Sequence, residues 1–201
     1  MGNLLVIDGA FGCTKAMLKR YGESRNNRRG IGIMEKFSIP SGDEQIKTAI
    51  SVDLKEPDVS TTDKWNKVKH LWDPPGCYHY QLTGQDYWFL ADDLDRRLAY
   101  VQTLLLVVRD TEMIRELRNK YATRMHSVYI WMSLDQLRGE LVEYMEGEEL
   151  ARHLQRHGEA RKDFSRKCDY YDHVLLNDGN SDDLYLQLDK IIGRLQTATG
   201  G

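Results

Sequence analysis

Short apolar runs alternate with amphipathic stretches along this chain, and the period of each run sets the element it predicts. Leu4-Leu5-Val6-Ile7 is apolar at every position, as a strand covered on both faces should be. A glycine-containing loop follows, then a helix starting within residues 15–21 that Gly22 can end. Residues 30–39 read as a second extended piece, halted by Pro40 and Gly42. From Asp43 to Pro75 the sequence is polar and poorly periodic, which predicts an irregular insert with one helix near residues 44–51 and a turn at Asp73-Pro74-Pro75-Gly76. Cys77 to Leu82 alternates like an edge strand. Leu94, Leu98 and Val101 predict a helix over residues 91–101, leading into Thr103–Val108, a run apolar on both faces that suits a central parallel strand.

The second half repeats this rhythm. Asp110-Thr111-Glu112 reads as a helix cap, and Met113, Ile114, Leu117 and Tyr121 form the apolar stripe behind it. A strand over residues 127–132, a helix over 133–145, a charged segment over 146–167, a strand over 173–176 and a last helix over 181–195 complete the pattern. Strand, loop, helix and return to strand predict an α/β fold with a doubly wound parallel sheet flanked by helices.

Composition narrows the class. A chain of 201 residues, 41% hydrophobic with net charge −3, suits a single domain with a small insert. Its start lacks the basic and apolar regions of a secretion signal, and no apolar run approaches about 18 residues, so a soluble, cytoplasmic protein is expected. Cys13, Cys77 and Cys168 are widely spaced, which predicts reduced thiols rather than a disulfide framework or a zinc site. His79, His126, His153, His157 and His173 show no metal-ligand spacing. Charge is uneven: residues 15–36 hold seven Lys/Arg against two Glu, and residues 152–167 hold six Lys/Arg against two acids. Two basic patches on an acidic protein point to a phosphorylated ligand. A pI near 6.1 and the lack of a basic amphipathic helix with interleaved aromatics argue against nucleic acid, although Arg25-Asn26-Asn27-Arg28-Arg29 is locally basic.

Gly9-Ala10-Phe11-Gly12-Cys13-Thr14-Lys15-Ala16, placed directly after the first strand, is the stretch richest in chemistry. A phosphate-binding loop reads Gly-x-x-x-x-Gly-Lys-Ser/Thr: its backbone N–H groups cradle phosphate, its lysine reaches the terminal phosphates and its hydroxyl holds magnesium. Gly9, Gly12 and Lys15 fit this pattern, whereas Thr14 stands for the second glycine and Ala16 for the hydroxyl. Asp8, at the end of the strand, can bind magnesium or orient an acceptor hydroxyl, with helix capping as its competing role. Asp110, at the end of the central strand, is a second candidate for magnesium or the acceptor, and also a cap for the helix that follows.

The order of these parts resembles the guanylate kinase family of P-loop nucleoside monophosphate kinases across nearly the whole chain. The resemblance is carried by the loop, by Thr83-Gly84-Gln85-Asp86-Tyr87, which is similar to the family's Gly-Asn-x-Tyr-Gly turn, by residues 90–110 and most closely by Tyr171-Asp172-His173-Val174-Leu175-Leu176-Asn177-Asp178. It implies a P-loop kinase-type doubly wound sheet, with core segments 1–35, 90–132 and 170–197, an acceptor-binding insert over about 36–89 and a helical lid over about 135–167. It also implies transfer of the γ-phosphoryl group of ATP, with Mg²⁺, to a nucleotide or sugar phosphate. Gly9, Gly12, Cys13, Thr14, Lys15 and Ala16 would then hold the nucleotide, and Arg152, Arg156 and Arg161 would close over the phosphates with Lys15.

In the family, two arginines hold the acceptor phosphate. The comparable stretch here is Lys36-Phe37-Ser38-Ile39-Pro40-Ser41, with Lys36 as its nearest cation. The guanine-reading glutamate falls near Tyr78 and the neighbouring hydroxyl residue near Phe89, while Tyr87 matches the phosphate-contacting tyrosine. A carboxylate and a hydroxyl cannot be replaced by Tyr and Phe in reading a guanine edge, so an acceptor other than GMP is expected. The alternative is a catalytically inactive domain of the same fold that binds a protein partner, with Tyr78, Tyr80, Trp88 and Phe89 as interface aromatics.

Overall fold

The computed structural model describes residues 1–9, 18, 20–22, 24, 30–34, 36–39, 47–48, 76–82, 85–142, 145–177 and 181–198, with the backbone alone at 37–39, 47–48, 85–86 and 198. In chain order the strands and helices are β1 (Asn3–Gly9), β2 (Ile31–Ile33), β3 (Phe37–Ile39), β4 (Lys47–Thr48), β5 (Cys77–Leu82) and β6 (Gln85–Leu90). After these come α1 (Ala91–Tyr100), β7 (Thr103–Val107), α2 (Thr111–Tyr121), β8 (Met125–Trp131), α3 (Leu134–Leu141), α4 (Gly147–Lys167), β9 (His173–Leu176) and α5 (Ser181–Ala198).

The runs that are apolar at every position form the middle of a five-stranded parallel sheet of order β2-β7-β1-β8-β9. Register is set by residue pairs such as Leu5 with Leu105 and with His126. Because side chains alternate along a strand, each run supplies two cores. Leu5, Ile7, Leu105, Val107, Val128 and Ile130 pack on Tyr21 and on Leu188 and Ile192 of α5. Leu4, Val6, Leu104 and Leu106 point the other way, onto Leu94 and Leu98 of α1 and Ile114 and Leu117 of α2. Burying one such side chain contributes about 1.5–3 kcal/mol, so covering both faces makes this sheet the stable body of the molecule. Asn3 fastens the first strand to the last helix by donating from Nδ2 to the Leu195 carbonyl at 3.0 Å.

A second, antiparallel sheet of order β4-β3-β6-β5 stands beside it. The expected edge strand over residues 77–82 is β5, and its burial alternates along its length. Three expectations are corrected here. The extended piece over residues 30–39 is two strands in different sheets: Met34 still donates to the Leu105 carbonyl at 2.8 Å, and by Phe37 the chain pairs with β6. Lys47 and Thr48, expected within the helix near residues 44–51, pair with β3 instead. Residues 85–87, expected as a turn, begin β6, where Tyr87, Trp88 and Phe89 provide a run of strong strand formers.

Two helix limits also differ. Gly22 and Ser24 are helical, so Gly22 does not end the first helix. Ser133 caps α3 by accepting from the Gln136 amide at 3.1 Å, but that helix closes at Leu141 rather than Met145. The charged segment is one 21-residue helix, α4. At the outer edge of the parallel sheet, Gln187 of α5 lies along β9: its Nε2 donates to the Leu176 carbonyl at 3.1 Å and its Oε1 accepts the Leu176 amide at 3.4 Å.

Candidate active site

In doubly wound sheets, ligands gather where the carboxyl ends of the strands open a crevice. At that end lies a cavity of about 450 Å³, bounded by Asp8 and Gly9 of β1, by Arg109 and Thr111 after β7, by Tyr129 of β8, by Tyr171 and by one side of α4. The helix contributes Arg156, Glu159, Ala160, Lys162, Asp163, Phe164, Arg166 and Lys167. Most of these recur every three to four residues, the spacing that sets side chains on one helical side. Five cationic side chains and three carboxylates thus line the cavity, and Lys167 is paired with Asp163 along the helix at 2.6 Å.

The neighbouring side of α4 holds it in place. His157 is fully buried, with its Nε2 2.9 Å from the Met132 carbonyl. Arg161 lies over the Trp131 ring at 4.4 Å. Phe164 stacks on Tyr129 with ring centroids 4.1 Å apart, and Tyr171 meets both rings at 5.1 and 5.9 Å. Burial pushes the His157 pKa down, so the neutral ring is the form that fits the seat.

Asp8 is buried at the rim of β1. One carboxylate oxygen accepts the Gly9 amide at 2.6 Å and the other accepts the Tyr171 hydroxyl at 2.5 Å. Burial pushes its pKa up, opposed by the Tyr171 hydrogen bond and by the Arg109 and Lys36 charges. Lys36 is only 4% exposed. Its ammonium donates to the Tyr80 hydroxyl and, at 3.0 Å, to the Val107 carbonyl, beneath the Tyr80 and Tyr87 rings at 5.0 and 4.5 Å. The Arg109 backbone amide bonds the same Tyr80 hydroxyl, so the second sheet is fastened to the end of β7.

The structure therefore brings together some expected residues and separates others. Asp8, Gly9 and Arg156 line the cavity, and Tyr87 sits near Arg109 and Arg156, whose charges oppose the upward push of burial on its hydroxyl. Arg152 is exposed and outside the lining, while Arg161 is turned onto Trp131. Asp110 caps α2, accepting the Met113 amide at 2.7 Å, and lines a separate shallow recess with His79 and Glu112. Lys36 is engaged in the latch described above. Tyr78 packs on Phe89 at 5.1 Å. Tyr78, Tyr80, Trp88 and Phe89 are all buried, which removes them as interface aromatics. Gly12, Cys13, Thr14, Lys15 and Ala16 lie outside the described residues.

Arg109, Lys162, Arg166, Tyr129 and Tyr171 line the cavity without having been singled out as site residues from the sequence. Arg109 carried a signal, since it is the first charge after a buried strand. The α4 cations were legible once the helix was phased from Arg156. Among the described residues no three His, Cys, Asp or Glu side chains converge as a metal site, and no helix is long and apolar enough to cross a membrane.

No protein-family model matches the chain, and neither does any curated protein sequence. Among solved structures, guanylate kinase from Anaplasma phagocytophilum is similar with a TM-score of 0.60 at 14% identity, covering 97% of this chain and 86% of that one. Shikimate kinase from Bacteroides thetaiotaomicron gives 0.44 at 9% identity, covering 95% and 98%. Dephospho-CoA kinase from Campylobacter jejuni gives 0.38 at 10% identity, covering 96% and 97%. The likeness to guanylate kinase, together with the five-stranded parallel sheet, shows that this chain has the α/β fold of the P-loop kinases.

Proposed function

We propose that this chain is an ATP-dependent phosphotransferase of the P-loop kinase type, acting on a small phosphorylated acceptor other than GMP. The observation that carries the reading is the cavity at the carboxyl ends of the parallel strands, walled by Arg109, Arg156, Lys162 and Arg166. Phosphoryl transfer needs little covalent chemistry from the protein; it needs the reactants held in line and the charge on the moving oxygens neutralised. Fixed guanidinium groups suit the second task, and Lys15 would extend the same cationic surface from the loop. Magnesium, when bound with ATP, neutralises phosphate charge, and a single carboxylate suffices where phosphates and water complete its shell. Asp8 is the candidate that lines this cavity, through a carboxylate that would have to exchange a present donor for the ion, whereas Asp110 lines the separate recess beside α2. Burial of Tyr78 against Phe89, and of Lys36 against Tyr80 and Val107, supports an acceptor recognised by α4 and Arg109 rather than by guanine-reading groups.

Thr14 and Ala16 in the loop, and Ser38 and Ser41 in place of the acceptor arginines, favour a second reading, a binding module that keeps the fold without turnover. The two separate in one assay: ADP release with Mg²⁺ and ATP across nucleoside monophosphates, deoxynucleotides and phosphorylated sugars. Acceptor-dependent turnover, falling roughly 10²- to 10³-fold in Lys15→Ala and in Arg156→Ala, is the expected result. No turnover on any acceptor, with no thermal shift by Mg·ATP, would overturn the kinase reading and make the binding module the better account.

A further inference from the structure

We propose that Tyr171 is a positioning residue that transmits the seating of α4 to the first amide of the glycine loop. The path is short and every step is a contact. Phe164 of α4 and Tyr129 of β8 hold the Tyr171 ring, with centroids 5.9 and 5.1 Å away. Its hydroxyl donates to one oxygen of Asp8, and the other oxygen takes the Gly9 N–H at 2.6 Å. Gly9 closes β1 and borders the cavity, so the direction of that amide is fixed where the strand ends.

The backbone on either side of Tyr171 is pinned, which makes the hydroxyl a fixed point rather than a wandering one. Arg118 grips Asp172 with two parallel bonds at 2.9 and 3.0 Å and also donates to the Tyr170 carbonyl at 3.0 Å. Ser127 donates from its amide to Asp172 at 2.7 Å and from its hydroxyl to the Tyr170 carbonyl at 2.8 Å. A buried carboxylate with two definite donors has little freedom, and a charge-assisted hydrogen bond is stronger and shorter than a neutral one. A change in the stack of Phe164 on Tyr129 therefore reaches Gly9 through two hydrogen bonds.

The relay itself stands on these contacts; its consequence for ligand binding rests on the kinase reading. Tyr171→Phe is the discriminating variant, because the ring and its flanking pins remain while the donor to Asp8 goes. In glycine-labelled protein without ligand, the Gly9 amide should exchange with solvent about tenfold faster than in the wild type, a larger factor than at Gly32 of β2, while loss of a donor to a buried carboxylate lowers the thermal midpoint. The dissociation constant for Mg·ATP, read by calorimetry, should rise by a similar factor. Phe164→Leu, which loosens the stack and spares the hydroxyl, should move both readouts in the same direction by less. Unchanged Gly9 exchange in Tyr171→Phe overturns the relay, and faster exchange with unchanged Mg·ATP affinity overturns its consequence for ligand binding. If the wild-type chain takes no Mg·ATP, the kinase reading has failed and Gly9 exchange alone decides the relay.

Discussion

The two sheets of this molecule are built from different chemistry. The parallel sheet is filled on both faces mainly by Leu, Ile and Val, whereas the antiparallel sheet buries Tyr78, Tyr80, Trp88 and Phe89, with the Lys36 ammonium held beneath the Tyr80 and Tyr87 rings. Aliphatic packing has no preferred direction, so it supplies stability and tolerates small shifts. An ammonium and a hydroxyl must meet their partners at set angles, so they fix where the second sheet stands relative to the first. Mass of core and accuracy of placement are thus assigned to separate regions, and the cavity lies where they meet.

The largest expected effect comes from Leu105→Ala, which opens a hole in the fully buried middle of the parallel sheet. Urea unfolding should show a loss of about 2–5 kcal/mol. A loss under about 1 kcal/mol would break the comparison, since the platform would then not depend on its aliphatics.

Tyr80→Phe sharpens the other side. It keeps the ring and removes the oxygen that the Lys36 ammonium and the Arg109 amide both reach, at an expected cost of about 1–3 kcal/mol. Removing both ends of a buried polar contact is far milder than removing one. The double variant Lys36→Met, Tyr80→Phe should therefore lie closer to wild type than Tyr80→Phe alone. Simple additivity in the four unfolding curves would show that the two groups do not act as a latch.

The smallest effect concerns the seat of α4, where a directional contact again does the placing. Burial holds the His157 pKa below its ordinary 6.5, so the unfolded chain takes up a proton more readily than the native one. The stability linked to neutral His157 is present above that value and is lost as pH falls from 6.5 towards the depressed native value. Thermal midpoints should drop between pH 7.5 and 5.5, and His157→Gln should flatten the slope. Burial pushes His126 in the same direction, which leaves a residual slope in that variant. An unaltered slope would remove His157 from the account.

The same contrast explains which parts of the molecule were legible in the sequence. Leu4–Ile7 and Thr103–Val107 declare themselves, because a strand covered on both faces has no room for polar residues. Met113, Ile114, Leu117 and Tyr121 declare α2 by their spacing, with Asp110 capping it. The antiparallel sheet was harder to read. Tyr87-Trp88-Phe89 follows a Thr-Gly pair that reads as a turn, and only pairing with β3 and β5 makes the segment a strand. Lys36 looked like a ligand for phosphate because nothing local announces that Tyr80 and Val107 will enclose it. On α4 the basic cluster was visible, but its phase was not. Arg156 faces the cavity and Arg161 the Trp131 ring, a difference fixed by where His157 and Phe164 dock on β8 and the residue after it.

Gln187 has a consequence at the scale of many molecules. The last strand of a sheet normally presents unsatisfied amides and carbonyls, on which a strand from another chain can assemble. Here both backbone groups of Leu176 are already occupied by one side-chain amide. Val174 and Leu176 remain exposed beside it, which would otherwise make this margin adhesive. A single glutamine thus blunts the rim of the sheet, and concentrated solutions of this protein have one fewer site from which stacking can begin.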